Sequence, residues 1–364
     1  MLGMLTMLAV ILILAVTGLS RAYRAQQQGL GARWYNRGLA DLSAKHFDAA
    51  VTDFRAALLY SRDDFAYQLN LAEALIGQGH WAQAYAYLVN LWDREPDNGV
   101  VNLELARIKA QRGENDDAIR YYNNAVYAVW PRDQEGRRRD ARLELIELLL
   151  RTHATAQAQG QLIALAERVG QDPAQQEHIG ELFLRADDSE HALASFTTSL
   201  KTDRHNAEAL AGAGRAAFEL GRYRLAERYL EAAIAANPND TASAEHLKTA
   251  QLVLRMDPFQ RQVSAARRNR IVVDAFTTAG ERLKTCSMPP VNSADAGPKA
   301  SLSDEWARLK PQVTEHGLRR NPDLVDIAMD LVFRIERETS IVCGTPTGTD
   351  LALLMISKLH EEVR

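Results

Sequence analysis

Six alanines recur through the first two thirds of the chain at an almost constant interval. Their spacings are 34, 34, 40, 34 and 34 residues. The set comprises Ala50, Ala84, Ala118, Ala158, Ala192 and Ala226. A small side chain allows two helix backbones to approach closely where they cross. A fixed interval of this size therefore indicates a repeat architecture.

The positions around these alanines keep the same register. Four residues after each alanine the chain has a large apolar residue: Phe54, Leu88, Tyr122, Leu162, Phe196 and Leu230. Twelve residues before each alanine it has Gly38, Ala72, Ala106, Ile146, Gly180 and Gly214, which are small in five cases of six. The larger side chain would fill the groove beside a close helix crossing. This 34-residue register resembles that of the tetratricopeptide repeat (TPR) family, whose unit is helix–turn–helix.

The resemblance implies an all-α fold, a TPR superhelical solenoid of six repeats plus a capping helix. The repeats are placed at 31–64, 65–98, 99–132, 139–172, 173–206 and 207–240, the cap at 241–258, and the whole solenoid at 31–258. Gly79 and Gly113 fall where the first helix of a unit must turn into the second. The six extra residues before repeat four predict a loop, and Arg137, Arg138 and Arg139 are interpreted as its solvated side chains rather than as a phosphate or acidic-partner patch.

The ends of the chain do not follow the repeat. Residues 259–364 have helical periodicity without the small-residue register, so they predict a small C-terminal helical bundle. Met1 to Ser20 contain no charged side chain. Eighteen residues of helix span about 27 Å, close to the roughly 30 Å of a bilayer core, so residues 1–22 are predicted to be an N-terminal transmembrane anchor. A cleaved signal peptide and a soluble terminal helix are the alternatives. Gln26 to Ala32 are expected to be a short spacer.

Composition excludes several kinds of site. The net charge of −4 gives no reason to expect nucleic acid. The chain has two cysteines without a Cys-x-x-Cys pair and nine scattered histidines, so neither a metal nor another cofactor is expected. No nucleophile, base and acid can be assembled from local spacing. We therefore expect that the chain is not an enzyme. For residues 259–364 the question of enzymatic activity stays open.

The resemblance also implies a concave groove lined by the first helix of each repeat. Family usage places contact residues at positions 2, 5, 6, 9, 12 and 13 of the unit. The candidate protein-binding residues are Asn36, Asn70, Glu73, Glu104, Arg107, Glu147, Arg151, Glu181, Arg185 and Arg215. Their mixed charge is consistent with a partner segment of mixed charge. The alternative is that these side chains pair with one another.

Two functions follow from this organisation. The layout resembles that of membrane-anchored bacterial TPR proteins, which implies a membrane-tethered scaffold or adaptor that binds other proteins through its groove. In the alternative, residues 259–364 are a ligand-binding or enzymatic module for which the repeats are a recognition platform.

Two signals bear on the side of the membrane. Arg21, Arg24 and further arginines follow the apolar segment, and by the positive-inside rule they place the soluble part in the cytoplasm rather than the periplasm. Cys286 and Cys343 could instead form a disulfide, which would persist in an oxidising compartment. We give the arginines more weight and expect a cytoplasmic solenoid with free thiols.

Overall fold

The computed structural model describes residues 2–128, 130, 134–286 and 301–361. Within these residues the regular structure is helical and no extended strand occurs. The helices, in chain order, are α1 (Leu2–Ser43), α2 (Phe47–Leu58), α3 (Phe65–Gly77), α4 (Trp81–Arg94), α5 (Gly99–Gln111), α6 (Asn115–Tyr127), α7 (Glu135–Arg151), α8 (Thr155–Val169), α9 (Pro173–Arg185), α10 (Ser189–Thr202), α11 (Ala207–Glu219), α12 (Tyr223–Ala236), α13 (Thr241–Met256), α14 (Ala265–Thr285), α15 (Leu302–Leu309), α16 (Glu315–Arg320), α17 (Leu324–Cys343) and α18 (Gly348–Glu361).

The helices α1 to α12 follow one another as six pairs, as the repeat predicts. The recurring alanine lies on the second helix of every pair, and all six alanines are fully buried. The close crossing is also present. A Cβ added to Gly38 would lie 2.7 Å from the Phe54 ring, and one added to Gly180 would lie 2.8 Å from the Phe196 ring. The small and large positions of the register therefore meet across each of these two pairs.

The turn between the helices of each pair needs a left-handed residue. Gly79, Gly113 and Gly221 adopt it, with φ of 79°, 76° and 68°. At the same position of the other three repeats the residue is not glycine. There Lys45, His153 and Asp187 adopt φ of 60°, 58° and 54°. Side chains with a Cβ are disfavoured in this region, so the turn geometry is imposed by the helix pair rather than by the local residue.

The first helix is longer than predicted. Helix α1 runs for 42 residues without a break from Leu2, so the spacer predicted at Gln26 to Ala32 is wrong. Those residues continue the first helix of repeat one. In the portion of the chain that the structure describes, no helix is long and apolar enough to cross a membrane, and the transmembrane helix predicted for 1–22 is not supported. The side chains of residues 1–13, 15 and 22 in that segment lie outside the described residues.

The insertion before repeat four is partly helical. Helix α7 begins at Glu135, so Arg137, Arg138 and Arg139 lie in its first turns and not in the predicted solvated loop. The reason is that these side chains have partners. Arg138 donates to the backbone carbonyl oxygens of Val126 and Ala128 in the preceding repeat. These hydrogen bonds hold the additional first turn of α7 against that repeat. Residues 131–133, where the insertion begins, lie outside the described residues.

The chain forms two compact units, Met1–Gln161 and Leu162–Arg364. In the second unit one apolar core continues from the last repeat into the C-terminal helices. Tyr223 and Val253 from α12 and α13 share this core with Phe276, Met329 and Ile356 from α14, α17 and α18. Helix α18 packs against the capping helix α13. The C-terminal helices therefore cover the apolar end of the last repeat.

Candidate functional site

Side chains of successive first helices contact one another, and we call the surface they form within each unit the first-helix face. In the first unit, Asn70 of α3 donates from Nδ2 to the hydroxyl of Tyr35 on α1 at 3.0 Å. The Tyr35 ring also stacks on Tyr67, with ring centroids 4.7 Å apart. The same Nδ2 of Asn70 donates to the backbone carbonyl of Ala66, so its Oδ1 is the atom left to accept from a partner.

A larger group of ion pairs continues this face, and we call it the charged cluster. It comprises Glu73, Glu104, Arg107, Arg137 and Glu144. Arg107 donates to both carboxylate oxygens of Glu144, at 3.0 and 2.6 Å, and to Glu104 at 2.7 Å. Arg137 bridges Glu73 at 2.5 Å and Glu104 at 3.2 Å. Three carboxylates and two guanidinium groups from α3, α5 and α7 therefore form one connected network.

Glu104 is the innermost member of the charged cluster. Its side chain is 4% exposed. Burial raises the pKa of Glu104 to about 7, although Arg107 and Arg137 oppose the shift. Near neutral pH this carboxyl group is therefore divided between its protonated and ionised forms.

Apart from Asn70, the candidate residues of the first unit fall into two groups. Glu73, Glu104 and Arg107 lie within the charged cluster, where they pair with one another or with neighbours. Asn36, Glu147 and Arg151 are exposed on the same set of helices. In the first group Glu104 pairs with Arg107 at i,i+3, and Glu73 pairs with Arg137 of a later repeat. The second group is the more exposed of the two.

The second unit has a smaller version of the same arrangement. Arg215 of α11 donates to Glu181 of α9 at 2.5 Å across 34 residues of sequence, and Arg185 is exposed. Glu177 accepts from Asn206 at 2.8 Å. Burial raises the pKa of Glu177, and the neighbouring Glu208 adds to the shift. The first-helix face of this unit is therefore rich in carboxylates.

Several residues of the face were not selected from the sequence. Glu177 and Glu208 occupy contact positions 5 and 2 of their repeats, so the family register could have found them. Arg137 precedes the predicted start of repeat four and had no such signal. Its role depends on the extra helical turn of α7, which periodicity does not specify.

The C-terminal helices contain a disulfide and an open cleft. Cys286 and Cys343 are bonded, with Cα atoms 5.9 Å apart, so the expectation of free thiols is wrong. A cleft of about 710 Å³ between α15 and α17 is lined by charged side chains that include Arg308, Asp326 and Arg334. Over the described residues no three His, Cys, Asp or Glu side chains are grouped to hold a metal ion.

Two segments of the chain match the model of a known protein family. Residues 75–129 and 183–250 match the family model described as tetratricopeptide repeat. A comparison with curated protein sequences gives no match.

Three similar solved structures illustrate the likeness. YrrB, described as a TPR protein with an unusual peptide-binding site, is 17% identical with a TM-score of 0.43, over 52% of this chain and 95% of YrrB. PilF of Pseudomonas aeruginosa is 15% identical with a TM-score of 0.42, over 61% of this chain and 97% of PilF. The TPR2AB domain of yeast Sti1, in complex with pHSP90, is 19% identical with a TM-score of 0.30, over 70% of this chain and 92% of that domain. These values do not bear on what this chain binds. The two segments that match the tetratricopeptide-repeat model span helices α3 to α6 and α9 to α13, so this part of the chain is similar to that family.

Proposed function

We propose that this chain is a scaffold whose first-helix face binds segments of other proteins. The observation that carries the proposal is the contact between side chains of successive first helices. Asn70 reaches Tyr35, Arg107 reaches Glu144, and Arg215 reaches Glu181 across 34 to 37 residues of sequence. Such contacts place the polar residues of neighbouring repeats side by side, so that an extended or helical segment can touch several of them at once.

The chemistry of the face defines the kind of segment that fits. In the first unit Glu147 and Arg151 are exposed one turn apart on α7, beside the paired charged cluster. An exposed acid and an exposed base in this arrangement favour a partner segment that carries both charges. A partner segment can contact these exposed side chains and Oδ1 of Asn70.

The test is site-specific photocrosslinking in cells that produce the full chain. A photoreactive residue replaces Glu147 or Arg151 on the first-helix face, and Asn90, which is exposed on the second helix α4, is the matched control. The proposal expects one identified protein to be captured from both first-helix positions and not from the control. Arg151→Glu should then reduce capture from position 147. Capture from the exposed Ile341 of α17 alone would favour the alternative, in which the C-terminal helices bind the ligand.

We also propose that the chain is tethered to a membrane through its amino-terminal segment. The support is the sequence, in which Met1 to Ser20 carry no charge. Placing arginine in the middle of such a segment opposes insertion by roughly 2.5 to 3.5 kcal/mol per residue. Leu8→Arg with Leu12→Arg should therefore move the chain from the membrane fraction to the supernatant after alkaline extraction. Recovery of the wild-type chain in the supernatant would refute tethering.

In this proposal, the cellular compartment of the soluble part is inferred from the disulfide. A disulfide persists where the surroundings are oxidising, so the bond between Cys286 and Cys343 supports an extracytoplasmic position and outweighs the arginines after the apolar segment. Maleimide labelling of the denatured chain, isolated from cells under acid quench, is the measurement. Labelling only after reduction is expected. Equal labelling without reductant would instead support the cytoplasm.

A further inference from the structure

A group of polar side chains is enclosed where α14, α17 and α18 meet, and we call it the buried polar cluster. It comprises Arg282, Glu336, Thr339 and Asp350. Arg282 donates from Nε to the hydroxyl of Thr339 at 3.0 Å and from Nη2 to the carbonyl oxygen of Gly344 at 3.0 Å. Its Nε lies 3.7 Å from the Glu336 carboxylate. One arginine thus connects α14 to α17 and to the segment that follows α17.

Glu336 is the member of this cluster whose environment is least favourable for a charge. Its side chain is fully buried, and neither of its carboxylate oxygens has a hydrogen-bond partner. Oδ1 of Asp350 is buried without a partner as well. An ionised carboxylate in such a place costs several kcal/mol unless donors surround it. Protonated Glu336 is therefore the form that this packing favours.

The charged groups that face Glu336 act in opposite directions. Burial raises its pKa to about 8, Asp350 on α18 adds to the shift, and Arg282 on α14 opposes it. The pKa of Asp350 is also raised by burial. Burial and the neighbouring carboxyl group thus act in the same direction on Glu336, and the guanidinium of Arg282 opposes them.

The disulfide closes the same corner of the bundle. Cys286 follows the last turn of α14, one turn after Arg282, and is 4% exposed. Cys343 is the last residue of α17, is exposed, and directly precedes Gly344. The sulfur of Cys286 lies 4.0 Å from the backbone carbonyl of Thr339. The bond therefore ties together the two helix ends between which Arg282 makes its contacts.

We propose that the disulfide between Cys286 and Cys343 is a redox-sensitive latch that keeps the buried polar cluster closed to water. A dithiol can open it from the solvent side. Its thiolate attacks the sulfur of Cys343, the bond to Cys286 breaks, and Cys286 leaves as a thiolate that takes up a proton. The second thiol of the reagent then displaces Cys343, so the protein gains two thiols and the dithiol becomes a disulfide.

Opening the latch changes what holds the helix ends. The bond joins residues 57 apart in sequence. Without it, non-covalent contacts such as those of Arg282, the Lys284–Trp306 contact and the apolar core restrain the end of α14. Once these ends separate, water reaches Glu336 and the carboxyl group ionises. Reduction is thereby coupled to release of the proton that the closed bundle retains.

The test compares hydrogen–deuterium exchange in the oxidised full chain, the chain reduced with dithiothreitol, and the variant Cys286→Ser with Cys343→Ser. After reduction we expect at least tenfold faster exchange in peptides covering the last turns of α14 and α17. Helices α9 to α11 should be unchanged, and the double variant should match the reduced chain. Equal protection of the helix ends in all three samples would overturn the latch.

A second measurement connects the latch to Glu336. The melting temperature of the oxidised wild type should fall relative to that of Glu336→Gln as the pH rises from 6 to 9, because only the wild type then buries a charge. After reduction this difference should shrink at least twofold. A difference that is absent when oxidised, or undiminished when reduced, would refute the coupling. Asp350→Asn provides the same comparison if Glu336→Gln does not fold.

Discussion

Arg107 joins two repeats through Glu144, because its Nε and Nη2 atoms donate to both oxygens of that carboxylate at 3.0 and 2.6 Å. The two residues are 37 positions apart in sequence and lie on α5 and α7. A planar guanidinium bound at two points fixes orientation as well as distance. The pair therefore sets how one first helix is placed against the next, in addition to any role in binding.

The first prediction concerns the removal of this guanidinium. Arg107→Leu leaves Glu104 and Glu144 without their main counter-charge, and it should lower the free energy of unfolding by about 2 kcal/mol. Arg151→Leu is the matched control, since Arg151 is exposed, and should change it by about 0.5 kcal/mol or less. Urea denaturation of both variants measures the difference. Equal effects would mean that the Arg107 pairs do not stabilise the fold.

The sequence specified the parts of the fold that depend on close packing. A glycine or alanine that recurs at a fixed interval from a large apolar residue is compatible with few helix packings. The contact between Gly38 and Phe54 is one that the structure contains. The turn glycines were also recognisable, because a left-handed backbone conformation favours glycine, as at Gly79 and Gly113. These signals are local, so periodicity is sufficient to find them.

The charged cluster could be predicted only in part. Family register selected Glu73, Glu104 and Arg107, but it could not separate partner contact from internal pairing. That distinction depends on where Arg137 lies, and Arg137 is positioned by an extra turn of α7 that no repeat pattern encodes. The disulfide was an open alternative that the sequence could not select, because two cysteines 57 residues apart carry no information on their distance. Both features depend on tertiary contacts between elements.

The second prediction is a pH dependence from Glu104. Its folded pKa of about 7 lies above the unfolded value of 4.5, so the folded state binds the extra proton between these values. Stability from this group is fully present below pH 4.5 and is lost as the pH rises through 7. The full effect is on the order of 3 kcal/mol, at about 1.4 kcal/mol per pKa unit.

Glu104→Gln isolates this contribution, because burial also raises the pKa of other carboxyl groups, that of Glu336 to about 8. The difference in unfolding free energy between wild type and variant should move in favour of the variant from pH 5 to pH 8. Chemical denaturation at four pH values is sufficient to measure it. A difference that is constant with pH would show that Glu104 does not titrate in this window.

The third prediction concerns the small position of repeat five. A Cβ at Gly180 would lie 2.8 Å from the Phe196 ring, so Gly180→Ala should overpack the crossing and cost about 1 to 3 kcal/mol. Gly160→Ala is the control, because Gly160 lies within α8 with no atom within 4 Å of the added Cβ. It should instead stabilise the chain by roughly 0.5 to 1 kcal/mol through helix propensity. Thermal melts of the two variants should therefore shift in opposite directions.

A rescue variant identifies the clash as the cause. Phe196→Leu shortens the side chain that the new methyl group meets. In the Gly180→Ala background it should cost less than it does alone, with a coupling of about 1 kcal/mol between the two positions. Additive losses would place the strain of Gly180→Ala somewhere other than at the Phe196 ring.

The last prediction uses the six left-handed turns, which differ in residue but share a conformation. Gly113 has φ of 76° and no atom within 4 Å of an added Cβ, so Gly113→Ala should cost about 1 kcal/mol from backbone strain alone. His153 adopts φ of 58° at the equivalent position. His153→Gly removes that strain but adds freedom to the unfolded chain, which offsets part of the gain. The net change should be a stabilisation of up to about 1 kcal/mol, opposite in sign to that of Gly113→Ala. If both substitutions destabilise by the same amount in urea melts, the residue at this turn acts through its side chain and not through its backbone conformation.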